Sequence, residues 1–153
     1  MKKLIRLFTI VSVFSFGHQT FAQCDISEGE VTIVVHTDAF GNEGYWQLLP
    51  SGNDCGDGTI FEGENELVGC DGAGNRDNPP GGYPNNADIT EGPWCLPLGN
   101  SYDIIYTDDW GDGGFSFDVL VNGYQIATFE GLGLGGRYTF VVEEPPLYDL
   151  SVY

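Results

Sequence analysis

The stretch Val119-Leu-Val-Asn-Gly-Tyr-Gln-Ile126 decides the fold class of this 153-residue chain. Two short runs rich in apolar, β-branched and aromatic residues flank the dipeptide Asn122-Gly123. Asn-Gly is typical of a two-residue hairpin turn, because both residues tolerate a positive φ. The stretch therefore predicts two antiparallel strands joined by a tight turn.

Further short strand-like runs lie on both sides of this hairpin, and helical periodicity is hard to find after residue 24. Residues 71–93 are dense in Gly, Asn, Asp and Pro and predict a long surface excursion, which is either functional or held by the flanking Cys70 and Cys95. Six to eight short strands separated by turn signals predict an all-β fold, an antiparallel β-sandwich or jelly-roll-like domain. The predicted strands are residues 30–37, 45–49, 101–107, 115–121, 124–129 and 137–142.

The two ends of the chain are predicted to lie outside this domain. Residues 1–22 have a positively charged start, a short apolar run and small residues at the end, the pattern of a secretory signal peptide. Its removal leaves residues 24–143 as a single β-sandwich domain, secreted or at the cell surface, with lipid attachment at Cys24 as the alternative to plain secretion. Residues 144–153 are interpreted as a Pro-containing tail or linker. No stretch has the roughly 20 apolar residues of a transmembrane segment.

The cysteine count also indicates export. All 4 cysteines follow residue 22, and an even number in an oxidising compartment predicts two disulfides. Four cysteines allow three connectivities, and the sequence does not decide among them. We favour Cys55–Cys70, which would close a local loop, together with Cys24–Cys95, which would tie the N-terminus to the body of the domain.

The charge balance excludes a general nucleic-acid binder. The chain has 23 acidic residues against 5 basic ones, a net charge of −18, whereas phosphate contacts need clustered Lys and Arg. Removal of residues 1–22 leaves Arg76 and Arg137 opposite the same 23 acids, a net charge of −21. Such an excess of carboxylates favours divalent cations as partners.

An internal repeat gathers some of these acids into two turns. His36-Thr-Asp-Ala-Phe-Gly-Asn-Glu-Gly-Tyr45 aligns with Tyr106-Thr-Asp-Asp-Trp-Gly-Asp-Gly-Gly-Phe115. Each copy places Thr-Asp after a strand and then an aromatic residue, Gly and a polar residue before the next strand, which fits two related halves of one sandwich.

The two turns are candidate Ca²⁺ sites, because Ca²⁺ takes six to eight oxygen ligands and Gly lets backbone carbonyls turn inward. The spacing does not match an EF-hand loop, since Val119 would occupy the position of its final Glu. The alternative is that Asp and Gly act here only as turn formers. The candidate ligands are Asp108, Asp109 and Asp112 in the second copy, and Asp38, Asn42 and Glu43 in the first.

The second copy also resembles a known family. Thr107-Asp-Asp-Trp-Gly-Asp-Gly113, with the upstream Thr37-Asp38, Glu43 and Trp46, is similar to the "Gly-Asp-Gly" β-domain repeated in secreted and surface proteins of marine and gliding bacteria. The resemblance covers roughly residues 30–142, although Gly114 displaces the aromatic residue that usually follows Gly-Asp-Gly. It implies a β fold and an extracellular location, and it carries no assigned chemistry.

Aromatic residues form a second candidate surface, because exposed rings can stack on sugars while nearby acids accept hydrogen bonds from hydroxyl groups. The alternative is that these side chains belong to the core, as most aromatic residues in β-domains do. The candidate ligand-binding residues are Trp110, Trp46 and Tyr83.

No catalytic constellation is visible, since a Ser–His–acid triad would rest on His36 alone and a zinc site lacks ligands. The sequence therefore predicts a secreted, non-catalytic β-domain for extracellular adhesion or recognition, with Ca²⁺ as a candidate structural ion. Its expected partner is an extracellular glycan or a cell-surface protein. The alternative is a carbohydrate-binding module, and a weaker one is a small secreted hydrolase.

Overall fold

The computed structural model describes residues 24–144, and within this range it contains β-strands and turns but no helix. The predicted signal peptide and residues 145–153 of the predicted tail lie outside the described part. Eight strands follow one another along the chain, β1 (Glu28–His36), β2 (Gly44–Pro50), β3 (Phe61–Glu64), β4 (Asp88–Pro97), β5 (Ser101–Asp108), β6 (Gly113–Val121), β7 (Tyr124–Leu132) and β8 (Gly135–Val141).

The strands form two four-stranded antiparallel sheets packed face to face, which confirms the predicted β-sandwich. One sheet has the order β4-β1-β6-β7 and the other β3-β2-β5-β8. The Asn122-Gly123 turn joins β6 to β7 as predicted, with Val121 paired to Tyr124 and φ values of 50° and 79° at the two turn residues. These positive φ values are the reason that the turn requires Asn and Gly.

The core lies between the two sheets and is built by alternation along the strands. In β1 the residues Val31, Ile33 and Val35 are fully buried, while the residues between them are only partly covered. Trp46 of β2 meets Phe117 of β6 across the interface, with ring centroids 5.6 Å apart in an edge-on arrangement. Each large apolar side chain buried in this way stabilises the fold by about 1.5–3 kcal/mol.

Two strands were not predicted from the sequence. Strand β3 was missed, and residues 88–93, predicted as part of the surface excursion, belong to β4. Both are edge strands, each paired with a single neighbour. The edge position explains why β4 accommodates Pro93, whose missing N–H would break a ladder in a central strand. The excursion is therefore residues 71–87.

The two favoured disulfides are both present. Cys24 is bonded to Cys95 and Cys55 to Cys70, with Cα–Cα distances of 5.3 and 5.9 Å. The first joins the start of the described chain to β4, and the second closes the segment that contains β3. No helix among the described residues has the length and apolar character needed to cross a bilayer.

Candidate metal centre

Two connections between the sheets lie side by side, and they are the two copies of the repeated sequence. The first acidic turn (residues 37–43) leads from β1 to β2, and the second acidic turn (residues 109–112) leads from β5 to β6. In one sheet His36 pairs with Ser116. Tyr106 aligns with His36 in the repeat, and it pairs in the other sheet with Trp46, which aligns with Ser116. The copies are thus related by an approximate two-fold exchange, which brings both turns to the same place.

Backbone contacts hold the two turns together. The Asp109 amide donates to the Glu43 carbonyl over 2.9 Å. Gly114 lies so close to Asp38 that a Cβ atom at position 114 would be 2.5 Å from the Asp38 carboxylate. A side chain at position 114 would therefore clash with Asp38 of the first turn.

The Asp108 side chain stabilises the second acidic turn by hydrogen bonds to its backbone amides. Its buried carboxylate accepts hydrogen bonds from the Tyr106 hydroxyl at 2.9 Å, from the Asp112 amide at 3.3 Å and from the Gly111 amide. Gly111 has a φ of 77°, a conformation that residues with a side chain rarely adopt. Burial raises the pKa of Asp108, with Asp112 adding to the rise, and the three hydrogen bonds offset part of it.

Glu43 differs from Asp108 in having no such donors. The side chain is only 5% exposed, yet no hydrogen bond from the described residues reaches its carboxylate. Burial first, and then the negative charges of Asp108, Asp112, Asp38 and Asp109, raise the pKa of Glu43 from 4.5 to about 7. No fully buried side-chain oxygen among the described residues lacks a hydrogen-bond partner, so the Glu43 oxygens keep access to solvent. Partial burial among other negative charges still makes this position favour a positive charge or a proton.

Three of the six predicted ligands are brought together as one carboxylate cluster. Oxygens of Glu43, Asp108 and Asp112 lie within 4.8 Å of one another, two of the residues buried and Asp112 exposed. This donor set is all oxygen, which suits a hard cation such as Ca²⁺ or Mg²⁺ and not zinc. A second grouping, Cys24, Glu28 and Cys95, offers no such site because both cysteines are in a disulfide.

The other three predicted ligands are engaged elsewhere. Asp109 is buried, and its carboxylate accepts the amides of Asp77 at 3.2 Å and Asn78 at 2.8 Å, which fixes the excursion on the second turn. Asp38 accepts the amide of Phe40 at 2.7 Å within the first turn. For these two carboxylates, which lie outside the cluster, the turn-forming alternative describes the structure better.

Asn42, the third of these residues, also contacts the excursion. Its side-chain amide donates to the side chain of Asn78 over 3.0 Å and to the carbonyl of Pro79 over 3.3 Å. It therefore links the first turn to the same loop that Asp109 holds.

The aromatic predictions divide into one exposed residue and two packed ones. Trp110 is 42% exposed, as expected for a residue within a turn. Trp46 is fully buried in the core, so its prediction as a sugar-stacking residue is wrong. Its ring points between the two sheets and packs against Phe117 and Phe61. Tyr83 is half-buried, and its hydroxyl donates to Glu91 over 2.7 Å and accepts from the Trp46 indole over 3.4 Å.

A cavity of about 360 Å³ opens beside the carboxylate cluster. We call it the aromatic–acidic cavity; it is lined by Phe40, Glu43, Asn78, Trp110 and Asp112. Phe40 and Asn78 were not among the predicted site residues. Phe40 could have been predicted from the repeat, because it aligns with the candidate residue Trp110. Asn78 could not, because it belongs to the excursion, and no local sequence pattern indicates that this loop passes over the site.

Comparison with protein-family models, curated proteins and solved structures finds no match to this chain, so the resemblance to the "Gly-Asp-Gly" β-domain stays a prediction.

Proposed function

We propose that the chain is a non-catalytic extracellular recognition or adhesion module whose carboxylate cluster binds Ca²⁺. Glu43, Asp108 and Asp112 would hold the ion, which would neutralise most of their charge and join the two acidic turns. The observation that carries the proposal is the position of Glu43, a residue only 5% exposed whose carboxylate faces a cavity and lies within 4.8 Å of those of Asp108 and Asp112.

The donor set and the expected compartment both support calcium over other divalent ions. Carboxylate oxygens of mixed exposure suit the flexible coordination of Ca²⁺ better than the strict octahedron of Mg²⁺. Two formed disulfides are typical of oxidising, extracellular surroundings, where modules bind Ca²⁺ with dissociation constants of roughly 10⁻⁴–10⁻³ M.

Melting of the protein in chelator and in millimolar Ca²⁺ tests the proposal. Because the ligands come from distant parts of the chain, the ion binds only the folded state and raises the melting temperature by about 5–6 °C at tenfold excess over the dissociation constant. Mg²⁺ at equal concentration is expected to raise it less.

Matched variants identify the site in the same experiment. Glu43→Gln is expected to lose the response to Ca²⁺. Glu30→Gln is the control, because Glu30 is an exposed acid beside the Asn122-Gly123 turn, at the other end of β6 from the cluster. An unchanged melting temperature in Ca²⁺, or an equal response in both variants, would contradict the proposal.

A further inference from the structure

Phe40 and Trp110 occupy the same position in the two copies of the repeat, and both line the aromatic–acidic cavity. They are 52% and 42% exposed, in contrast to the buried Trp46. Exposed aromatic faces at equivalent turn positions are not needed for the core, which lies between the sheets. Their common feature is that each presents apolar surface next to the carboxylate cluster.

The cavity also offers polar groups of the kind that orient a small ligand. Asn78 supplies an amide, and its side-chain oxygen already accepts from Asn42 over 3.0 Å, so its orientation is fixed. Glu43 and Asp112 line the same cavity, which means that two of the three candidate cation ligands border the space where a ligand would lie. The volume is at the lower end of the range of small-molecule sites, roughly 300–1,000 Å³.

Coordination leaves room for such a ligand. Three carboxylates supply at most six oxygens, and the oxygens of Asp108 already accept hydrogen bonds from Tyr106, Gly111 and Asp112. Ca²⁺ takes six to eight oxygens, so hydroxyl groups of a ligand in the cavity can complete the shell.

Charge selects a neutral ligand. Three carboxylates with one divalent ion keep a net negative charge, and the whole chain carries −18. The Arg76 guanidinium lies over the Trp110 ring, 5.8 Å from its centroid, and offsets part of the negative charge at the site. Uronic acids, phosphates and anionic lipid surfaces would still meet the like charge of the chain as a whole. The exposed Leu134, which lies against Gly111, would also suit a lipid surface, but the charge of the domain disfavours an anionic one.

We propose that the aromatic–acidic cavity binds a neutral sugar residue of an extracellular polysaccharide, with its ring against Phe40 and Trp110 and a pair of adjacent hydroxyl groups on the bound Ca²⁺. The inference rests on the proposed function, because the ion is part of the sugar site. It assigns a ligand class to the recognition role, and it makes sugar binding dependent on calcium.

Affinity electrophoresis or sedimentation with insoluble polysaccharide tests the inference, with a mannan, a galactan and a β-glucan as neutral probes. Alginate serves as a polyuronate, and vesicles of phosphatidylcholine with phosphatidylserine as an anionic membrane. Retention on at least one neutral polysaccharide in millimolar Ca²⁺, lost in chelator, is the expected result. Retention on alginate or vesicles alone would overturn it, as would retention on none of the probes.

Aromatic variants separate the sugar site from the cation site. Trp110→Ala and Phe40→Ala are each expected to weaken retention by about tenfold, since buried aromatic anchors dominate such interfaces, while calorimetric Ca²⁺ binding persists. Tyr124→Ala is the matched control, because Tyr124 is 62% exposed at the distant hairpin and its loss leaves retention unchanged. If the wild-type protein binds no Ca²⁺, the proposed function is refuted. If it binds Ca²⁺ but is retained on no polysaccharide, only this inference is refuted.

Discussion

The backbone amide of Asp109 donates to the carbonyl of Glu43 over 2.9 Å, and this bond joins two acidic turns that are far apart in the sequence. Its consequence is that Glu43 lies beside Asp108 and Asp112, so that one cluster draws its carboxylates from both copies of the repeat. A cation at this place would bind the native state and not the unfolded chain, which couples binding to stability.

Removal of the Glu43 charge is expected to stabilise the protein in chelator. The pKa of Glu43 is raised to about 7, so the fold favours the protonated acid, and ionisation costs stability as the pH rises from about 4.5 through 7. Glu43→Gln at pH 8 is therefore expected to raise the free energy of unfolding by about 2 kcal/mol, since one pKa unit is worth about 1.4 kcal/mol and the cavity is partly solvated. Urea unfolding in chelator measures this.

The comparison at low pH provides the internal control for this variant. At pH 4 Glu43 is largely protonated in both states, so Glu43→Gln and the wild type should unfold at similar urea concentrations. A variant less stable than the wild type at pH 8 would contradict the account of this residue.

Asp109 is expected to act through the excursion and not as a ligand. Asp109→Ala removes the acceptor of the Asp77 and Asn78 amides, and because both residues are exposed, water replaces part of what is lost. We expect a loss of about 1–2 kcal/mol in stability and faster hydrogen exchange at these two amides. Asp77→Ala is the control, since the exposed Asp77 contributes its amide and not its side chain. Unchanged exchange in Asp109→Ala would refute this role.

Protonation of Asp103 is expected to destabilise the fold at low pH. Burial would raise its pKa, but hydrogen bonds from Thr139, the Gly52 amide, Arg137 and Ser51 outweigh burial and lower it below 3.8. A carboxyl with a lowered folded pKa contributes stability above its unfolded pKa and loses it as the pH falls through the folded value.

Melting between pH 5 and pH 2 measures this contribution. The wild type should lose stability steeply below about pH 4, and Asp103→Asn should show a lower melting temperature at pH 5 with a weaker decline below it. Parallel profiles for the two proteins would contradict the assignment.

The fold was predictable where local chemistry determines it. Asn122-Gly123 specified its turn, and the β-branched run of β1 specified a strand. Strand β4 escaped prediction because its Gly92-Pro93 pair is typical of a loop, and only the pairing of β4 with β1 along one edge makes it a strand. Edge strands of this kind depend on tertiary contacts more than on propensity.

The site was predictable in composition but not in the roles of its residues. Asp108 and Asp109 are neighbours in the sequence, yet one joins the carboxylate cluster and the other anchors the excursion. That difference depends on which way each side chain leaves the end of β5, and on the path of a loop from another part of the chain. Local sequence specifies neither.

Isothermal titration of Ca²⁺ into chelator-treated protein tests the central claim most directly, with wild type, Glu43→Gln and Glu30→Gln measured side by side. We predict one ion per chain, with a dissociation constant in the range of about 10⁻⁴–10⁻³ M, in the wild type and in Glu30→Gln, and at least tenfold weaker binding in Glu43→Gln. No binding up to millimolar Ca²⁺, or the same binding in all three proteins, would contradict a calcium site at Glu43, Asp108 and Asp112.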